Sequence, residues 1–239
     1  MKKLLITVIA FFAGFNLLSA QTGEEIVAKM LKQRGADAIS KIKDWKASGK
    51  MINMGIEMPF TLLVKTPNKM RMEVSIEGKK MIQTYNGKEG WMINPNQGGG
   101  AMPLDKEQLE KLKNQTNVFQ GPLYDYKSKG TTVKLLGREK NINGKDAFKL
   151  YVKTKDGYDA TLYVDANEYV PLRIVAELKD KDMKKKMEAI VNYSNYKRVD
   201  GIMIPHKVES KMQSMVSYVE FEKIQTNTNI KDNLFNRPK

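Results

Sequence analysis

Apolar and polar residues alternate strictly along residues 69–76 of this chain. Met70, Met72, Val74 and Ile76 occupy one set of alternate positions, and charged or small polar residues occupy the other. Successive side chains of a β-strand point to opposite faces, so this pattern predicts a strand with one buried face. The same period of two recurs at Met58/Phe60/Leu62/Val64, Phe148/Leu150/Val152, Ala160/Leu162/Val164 and Met187/Ala189/Val191.

Turn signals separate these stretches. No long helix lies between successive strands, which argues against a parallel sheet of βαβ units. Four dipeptides favour the tight turns of antiparallel hairpins, and they are Asn86-Gly87, Asn143-Gly144, Asp156-Gly157 and Asp200-Gly201.

The N-terminal part carries helical signals instead. Thr22 and Glu25 have the spacing of a capping box, and an apolar stripe of helical period follows them. Gly35 is placed to end this helix, which is predicted over residues 22–34. A second short helix is predicted over residues 36–42.

A third helix is predicted in the middle of the chain, over residues 105–114. Leu109 and Leu112 share one side of it. The irregular segment after it, residues 118–130, is expected to fold over the sheet as a lid. The fold class is therefore mainly β (α+β), with one antiparallel sheet and with helices packed on its apolar face.

The first twenty residues have the layout of a secretory signal peptide. Lys2 and Lys3 precede an uncharged apolar run over residues 4–18, and Ala20 offers a cleavage site. The run is short for a bilayer span, which needs roughly 20 residues, although an uncleaved anchor remains the alternative. We expect a signal peptide at residues 1–20, a single domain at residues 21–239 and a periplasmic protein.

The chain has a net charge of +14 and no cysteine. Without cysteine it can have neither a disulfide nor a lipid attached at a cleavage site, so we expect the mature protein to be free in solution. Export argues against nucleic acid as the partner of these basic residues. Anionic lipid surfaces are one alternative, and a generally basic surface without a partner is the other.

Catalytic chemistry has little support. The single histidine, His206, has no nucleophile motif to act with, and one histidine without cysteine excludes the usual zinc sites. The run at residues 98–100 lacks the lysine and hydroxyl residue of a phosphate loop and is expected to be flexible. We therefore predict no catalytic residue, no metal, no cofactor and no enzymatic activity.

Methionine is concentrated in one part of the sequence. Eight of the 15 methionines lie between Met51 and Met102. Methionine is unbranched and polarizable, so it adapts to apolar contents of varying shape, although an ordinary core would also accommodate it. The inward faces of residues 47–54 and 79–85 stay unassigned, because the alternation is broken there.

Three segments resemble the LolA/LolB-like lipoprotein carrier family. Residues 63–72 (LVKTPNKMRM) are similar to its first strand–turn–strand signature, and residues 85–95 (YNGKEGWMINP) to its Gly-Lys turn, Trp and Asn-Pro. Residues 232–238 (DNLFNRP) are similar to its closing Phe-x-x-Pro strand. The similarity is weak between residues 118 and 186.

The resemblance implies an incomplete β-barrel, in which one curved antiparallel sheet is closed by an N-terminal helix and mid-chain helices. It also implies a cavity that holds the acyl chains of a lipoprotein or another lipid cargo. The implied partners are an inner-membrane ABC transporter and an outer-membrane acceptor. One departure concerns Thr66, which stands where the family's soluble carriers have a latch arginine, because threonine lacks the guanidinium fork.

We therefore predict a monomeric periplasmic carrier that ferries acyl chains toward the outer membrane. A sensor or interaction module on the same fold is the alternative, and a structural protein with a filled core is a further one. Trp91 and Leu109 are expected at the lid or cavity wall. The other predicted cavity residues are Met58, Phe60, Leu62, Val64, Met70, Met72, Val74, Phe148, Leu150, Leu162 and Met187.

Overall fold

The structure, a computed structural model, describes residues 21–115, 123–155, 159–179 and 186–238. Within them one antiparallel sheet has the strand order β6-β5-β4-β3-β2-β1-β13-β12-β11-β10-β9-β8-β7, and its edges β6 and β7 do not pair. The predicted single open sheet is confirmed. The strands are β1 (Asp44–Asn53), β2 (Ile56–Lys65), β3 (Lys69–Ile76), β4 (Lys79–Tyr85), β5 (Gly90–Ile93), β6 (Ala101–Pro103), β7 (Thr132–Ile142), β8 (Lys145–Lys153), β9 (Asp159–Asp165), β10 (Pro171–Lys179), β11 (Lys186–Val199), β12 (Ile202–Met212) and β13 (Met215–Thr226).

The first two helices follow the sequence signals closely. Helix α1 spans Gly23–Arg34, and Thr22 and Glu25 exchange the two capping-box hydrogen bonds at 3.0 and 3.2 Å. Gly35 ends α1 in the left-handed conformation, with φ 83°. Helix α2 (Ala36–Ile39) is shorter than predicted, because the chain turns toward β1 after Ile39.

Helix α3 (Lys106–Gln115) also begins where the sequence predicts. The Asp105 side chain accepts from the Gln108 amide at 2.8 Å, and the Gln108 side chain accepts from the Asp105 amide at 3.1 Å. Of the expected lid segment, residues 116–122 lie outside the described residues, while Leu123 and Tyr126 are buried. No helix in the described ranges combines the length and apolarity that a bilayer crossing requires.

The hairpin turns that the structure describes agree with their sequence signals. Both residues of Asn143-Gly144 have positive φ, 52° and 81°, and so do both residues of Asp200-Gly201, 47° and 83°. This is the requirement of a type I′ turn. The Asn86 side chain accepts amide hydrogens from the two residues after Gly87. Asp156-Gly157 and the expected signal peptide at residues 1–20 lie outside the described residues.

Two apolar clusters cover the concave face of the sheet. The first joins α2 and Leu112 of α3 to strands β1 to β4, β12 and β13, and the second packs α1 on β8 and β9. The first cluster includes Trp45 and Ala47 of β1 and Tyr85 of β4. These residues identify the inward faces of the two strands that the broken alternation had left unassigned. The helices therefore cover the two ends of one continuous face.

The C-terminal segment covers the part of the convex face that strands β1 to β5 form. Leu63, Ile230 and Phe235 form a separate buried cluster there. The segment is held by the buried carboxylate of Asp44, which accepts from the amide and hydroxyl of Thr228 at 2.6 and 2.9 Å. It ends in a 3-10 turn, Asp232–Phe235, rather than in the closing strand that the resemblance implied.

A bulge marks the pairing of β1 with β13 at the middle of the sheet. The register shifts between Ser48 and Gly49, so that Glu222 has no partner across β1. A Cβ atom added at Gly49 would lie 2.0 Å from the carbonyl oxygen of Glu220, and Phe60 lies opposite Gly49 on β2. Only glycine allows the two backbones to approach this closely.

We expect Gly49→Ala to destabilise the protein by about 1 to 3 kcal/mol, because the new methyl group overlaps a backbone atom that cannot move away cheaply. Urea unfolding of both proteins measures this change. Gly100→Ala is the matched control, because a Cβ there meets nothing within 4 Å. Equal midpoints for Gly49→Ala and Gly100→Ala would contradict the close approach.

Candidate functional site

A cavity of about 360 Å³ lies on the concave face, between the two apolar clusters. Helix α1, the turn segment at Leu123, and strands β1 and β9 to β13 supply its walls. Apolar and aromatic side chains dominate the lining, which is typical of small-molecule sites. The lining residues are Met30, Arg34, Trp45, Leu123, Leu162, Pro171, Ile174, Tyr193, Tyr196, Ile204, Pro205, Val208, Val219, Phe221 and Ile224.

The cavity exists because the helices fill the two ends of the concave face and leave the middle open. Trp45, Ile204 and Ile224 belong to the cluster under α3, and they form one wall. The opposite wall belongs to the cluster under α1 and consists of Met30, Leu123 and Leu162. The cavity is thus the unfilled space between two packed cores.

The bulge at Glu222 adds a further side chain of β13 to the cavity, beside Val219 and Phe221. In a regular strand, two residues three positions apart point to opposite faces. Because Glu222 is inserted into the register, Phe221 and Ile224 both reach the cavity. Phe221 also packs edge-on against Phe60, with ring centroids 5.7 Å apart.

Two further interruptions of the alternation adjoin the same cavity. In β10, Leu172 has no partner across β9. In β11, Asn195 has φ 52°, a left-handed conformation inside a strand. On either side of each interruption, two side chains three positions apart both line the cavity. They are Pro171 and Ile174 in β10, and Tyr193 and Tyr196 in β11.

One charged side chain belongs to this wall. Arg34 comes one helical turn after Met30 and lies in the last turn of α1. Burial lowers the pKa of the Arg34 guanidinium, and the neighbouring phenols of Tyr196 and Tyr193 partly oppose that effect. Burial also raises the pKa of Tyr196 far above its usual range, so the phenol stays neutral and donates to the carbonyl oxygen of Pro171 at 2.6 Å.

Most of the predicted cavity residues lie on the concave face, but they fill its two ends. Among the predicted cavity residues, all of which the structure describes, Leu162 is the one that lines the cavity. Met58, Met72 and Leu109 are partly buried against the first cluster. The fully packed members of the two clusters are Phe60, Leu62, Val64, Met70 and Val74 in the first, and Phe148, Leu150 and Leu162 in the second.

Trp91 lies on the opposite face from the predicted one. It pairs with Thr84, and its indole donates to the carbonyl oxygen of Phe235 at 3.2 Å. The guanidinium of Arg71 stacks over its ring at 5.6 Å. The expectation that Trp91 contributes to a lid or cavity wall is therefore wrong, because the C-terminal segment covers it on the convex face.

Two other positions of interest lie away from the cavity. Met187 lines a separate depression near the start of β11, where Gln213 donates to its sulfur. Thr66, which stands where the carriers that the sequence resembles have an arginine, donates through its hydroxyl to the carbonyl oxygen of Ile42 at 3.0 Å. Thr66 thus ties the end of β2 to the segment after α2.

The single histidine is not among the residues that line the cavity. His206 is buried, and its Nδ1 donates to the carbonyl oxygen of Ile204 at 3.1 Å. Within the described ranges, no three histidine, aspartate or glutamate side chains are close enough to hold a metal ion. The chemistry of the site is therefore that of apolar contact around one guanidinium.

The sequence patterns did not identify most of the cavity wall. One signal for Arg34 was present, because it occupies the position four residues after Met30 on the apolar stripe of α1. Tyr193 and Tyr196 had no comparable signal, since their spacing places them on opposite faces of a regular strand. The irregularity at Asn195 depends on the pairing of the strands and is not visible in the sequence.

Comparisons with known proteins identify the fold as LolA-like. Residues 114–239 match a family model described as an uncharacterized protein. A DUF1329 family protein from Desulfovibrio piger superposes with TM-score 0.59 at 14% identity, over 90% of this chain and 97% of that one. A LolA superfamily protein from Nitrosomonas europaea gives 0.56 at 15% identity, over 91% and 98% of the two chains. No curated protein sequence matches the chain.

The two tryptophans offer a direct test of the cavity. We expect a brominated alkane, which quenches indole at contact, to quench Trp45 and to leave Trp91 bright, because only Trp45 lines the cavity. Trp91→Phe should therefore retain the quenching and Trp45→Phe should lose it. Fluorescence titration of the two variants measures the difference, and quenching that depends on Trp91 would contradict the location of the cavity.

Proposed function

Because this chain belongs to the family of uncharacterized proteins described by that model and has the LolA-like fold, we propose that it is a periplasmic protein that binds an acyl chain and carries it toward the outer membrane. The observation that carries the proposal is the apolar cavity of about 360 Å³ between the two clusters. A signal peptide at residues 1–20 would deliver the protein to that compartment.

The energetics of acyl transfer support this function. Burying a methylene group is worth about 0.8 kcal/mol, so a chain of ten holds on the order of 8 kcal/mol in a membrane. A carrier must offer a comparable apolar surface and still release its load. The apolar surface comes from the lining residues Met30, Leu162, Ile174 and their neighbours. Val208 and Val219 are only half-buried, so one side of the cavity is accessible.

The cargo is an acylated lipoprotein or another lipid, and the size of the cavity limits which of them fits. A volume of about 360 Å³ is near the lower end of the range of about 300 to 1,000 Å³ for ligand pockets. The cavity in this form therefore suits one chain, and a lipoprotein with several chains would need a wider opening between the clusters. An inner-membrane ABC transporter and an outer-membrane acceptor are the partners that a carrier role requires.

The small volume also favours a second function, that of a sensor or interaction module. A protein that binds one lipid and then contacts a regulatory protein would need space for only one chain. The two functions differ in the step after lipid binding, because a carrier gives its lipid to an acceptor membrane and a sensor retains it while it binds a protein.

Filling the cavity should abolish acyl binding. We expect Val219→Trp to weaken the binding of a fluorescent acyl probe at least about tenfold, because the indole occupies the space of the chain. Val216→Trp is the matched control, because Val216 is also half-buried and lies on the other face of β13. Equal affinities for the two variants would exclude this cavity as the binding site.

Native mass spectrometry of residues 21–239 from a periplasmic extract, without detergent, tests the natural cargo. We expect a bound lipid or acylated peptide, and its mass identifies the cargo. Transfer of that cargo to acceptor vesicles would support the carrier. A protein that arrives empty and takes up no added acyl probe would refute both lipid-binding functions.

A further inference from the structure

Exposed apolar side chains are concentrated on two neighbouring hairpins. Met54 and Ile56, at the turn between β1 and β2, are 87% and 59% exposed, and Met215, at the start of β13, is 55% exposed. Because β1 pairs with β13, with Asn53 opposite Ser217, the two turns lie side by side at one end of the sheet. Of the six large apolar side chains that are exposed in the described residues, three thus lie together, and we call Met54, Ile56 and Met215 the apolar rim.

The turn that carries Met54 is unusual for its backbone. Met54 and Gly55 join β1 to β2 with φ 50° and 80°, and positive φ at both positions defines a type I′ turn, which favours asparagine at the first position. Asn143 and Asp200 occupy that position in two other hairpins of the chain. Neither the turn nor the core explains a methionine that is so exposed, and this indicates contact with something outside the chain.

An apolar path leads from the apolar rim to the cavity. Val219 lines the cavity and is half-buried. Val219 pairs with Met51 on β1, Met51 pairs with Met58 on β2, and Ile56 lies two residues before Met58 on the same face of β2. Met51 and Met58 are partly buried against the first cluster. A lipid that leaves a bilayer at the rim would therefore meet apolar side chains on its way to the cavity.

Basic residues lie beside the apolar rim. Lys79 and Lys80, at the turn between β3 and β4, and Lys211, near the end of β12, are exposed at the same end of the sheet, and Glu77 is the exposed acid next to them. The whole chain carries a net charge of +14. Each basic residue close to an anionic lipid surface contributes about 1 kcal/mol of attraction. The charge around the rim is therefore complementary to an anionic bilayer.

We propose that the apolar rim docks on the surface of an anionic lipid bilayer, with Met54, Ile56 and Met215 inserted between the lipids. This inference rests on the proposed acyl-carrying function and specifies where the protein meets the membrane. Single side chains on adjacent turns insert separately into a fluid bilayer, whereas a protein partner or a second copy needs a contiguous complementary surface. Docking in this orientation brings the path to the cavity into contact with the bilayer.

A single fluorescent label tests the insertion, because the chain has no cysteine of its own. Met54→Cys and Met215→Cys are each labelled with an environment-sensitive fluorophore and mixed with vesicles of phosphatidylethanolamine and phosphatidylglycerol. The matched control is Leu136→Cys, because Leu136 is 50% exposed but lies on the edge strand β7. We expect a blue shift for the first two labels and none for the control. Equal shifts at all three positions, or at none, would overturn the proposal.

Met54→Asn separates membrane contact from a role in folding. Asparagine suits the type I′ turn, so the urea midpoint of this variant should equal or exceed that of wild type. Its binding to the same vesicles, measured by sedimentation, should weaken about tenfold, because one inserted apolar side chain is lost. Leu136→Asn should bind vesicles as wild type does. Unchanged vesicle binding by Met54→Asn would overturn the docking of this rim.

Further outcomes separate this inference from the function on which it rests. A protein that takes up an acyl probe but does not bind vesicles would overturn the docking and leave acyl binding intact, and failure of both would overturn both. Equal binding to vesicles of neutral phosphatidylcholine would overturn the choice of an anionic surface. A dimer that Met54→Asn dissociates, in a protein that does not bind vesicles, would assign the rim to a second copy and overturn the proposal.

Discussion

The apolar concave face of this open sheet has to be covered, and this constraint governs the rest of the structure. The strands between the edges β6 and β7 present one continuous apolar concave face. The helices α1 to α3, within the described residues, are too short to cover it completely. Helix α1 covers one end and α3 the other, and each completes a packed cluster. The cavity occupies the middle because no element of the described chain fills it.

Irregular backbone shapes that middle region. Glu222, Leu172 and Asn195 each interrupt the alternation of a strand beside the cavity. Interruptions of this kind bend a strand and redirect its side chains. They add side chains to the concave surface where the sheet curves around the open space. Gly49 makes one of these interruptions possible, because it lets β1 and β13 approach each other without a side chain between them.

The C-terminal segment covers one part of the convex face, and directional polar contacts hold it there. Asp44 accepts hydrogen bonds from the C-terminal segment, and Trp91 donates one to Phe235. Arg71 both stacks on Trp91 and donates to the carbonyl oxygen of Leu234. These contacts fix the segment on strands β1, β3 and β5, away from the cavity. The described C-terminal segment thus lies on the other side of the sheet from the cavity.

Local sequence signals determined the strands, the hairpins and the helix starts, because each of these features depends on neighbours within a few positions along the chain. The signals are the alternation of residues 69–76, the glycine-containing turns and the capping residues of α1 and α3. The motifs also resembled those of the LolA/LolB-like family, and the fold that this resemblance implied is confirmed. Alternation assigns a side chain to a face of its own strand, but it does not say what covers that face. The tertiary structure alone decided that Leu62 fills a core, that Trp91 lies under the C-terminal segment, and that Arg34 and Tyr196 meet at a cavity. Those outcomes depend on which distant segments pack together and where their registers shift.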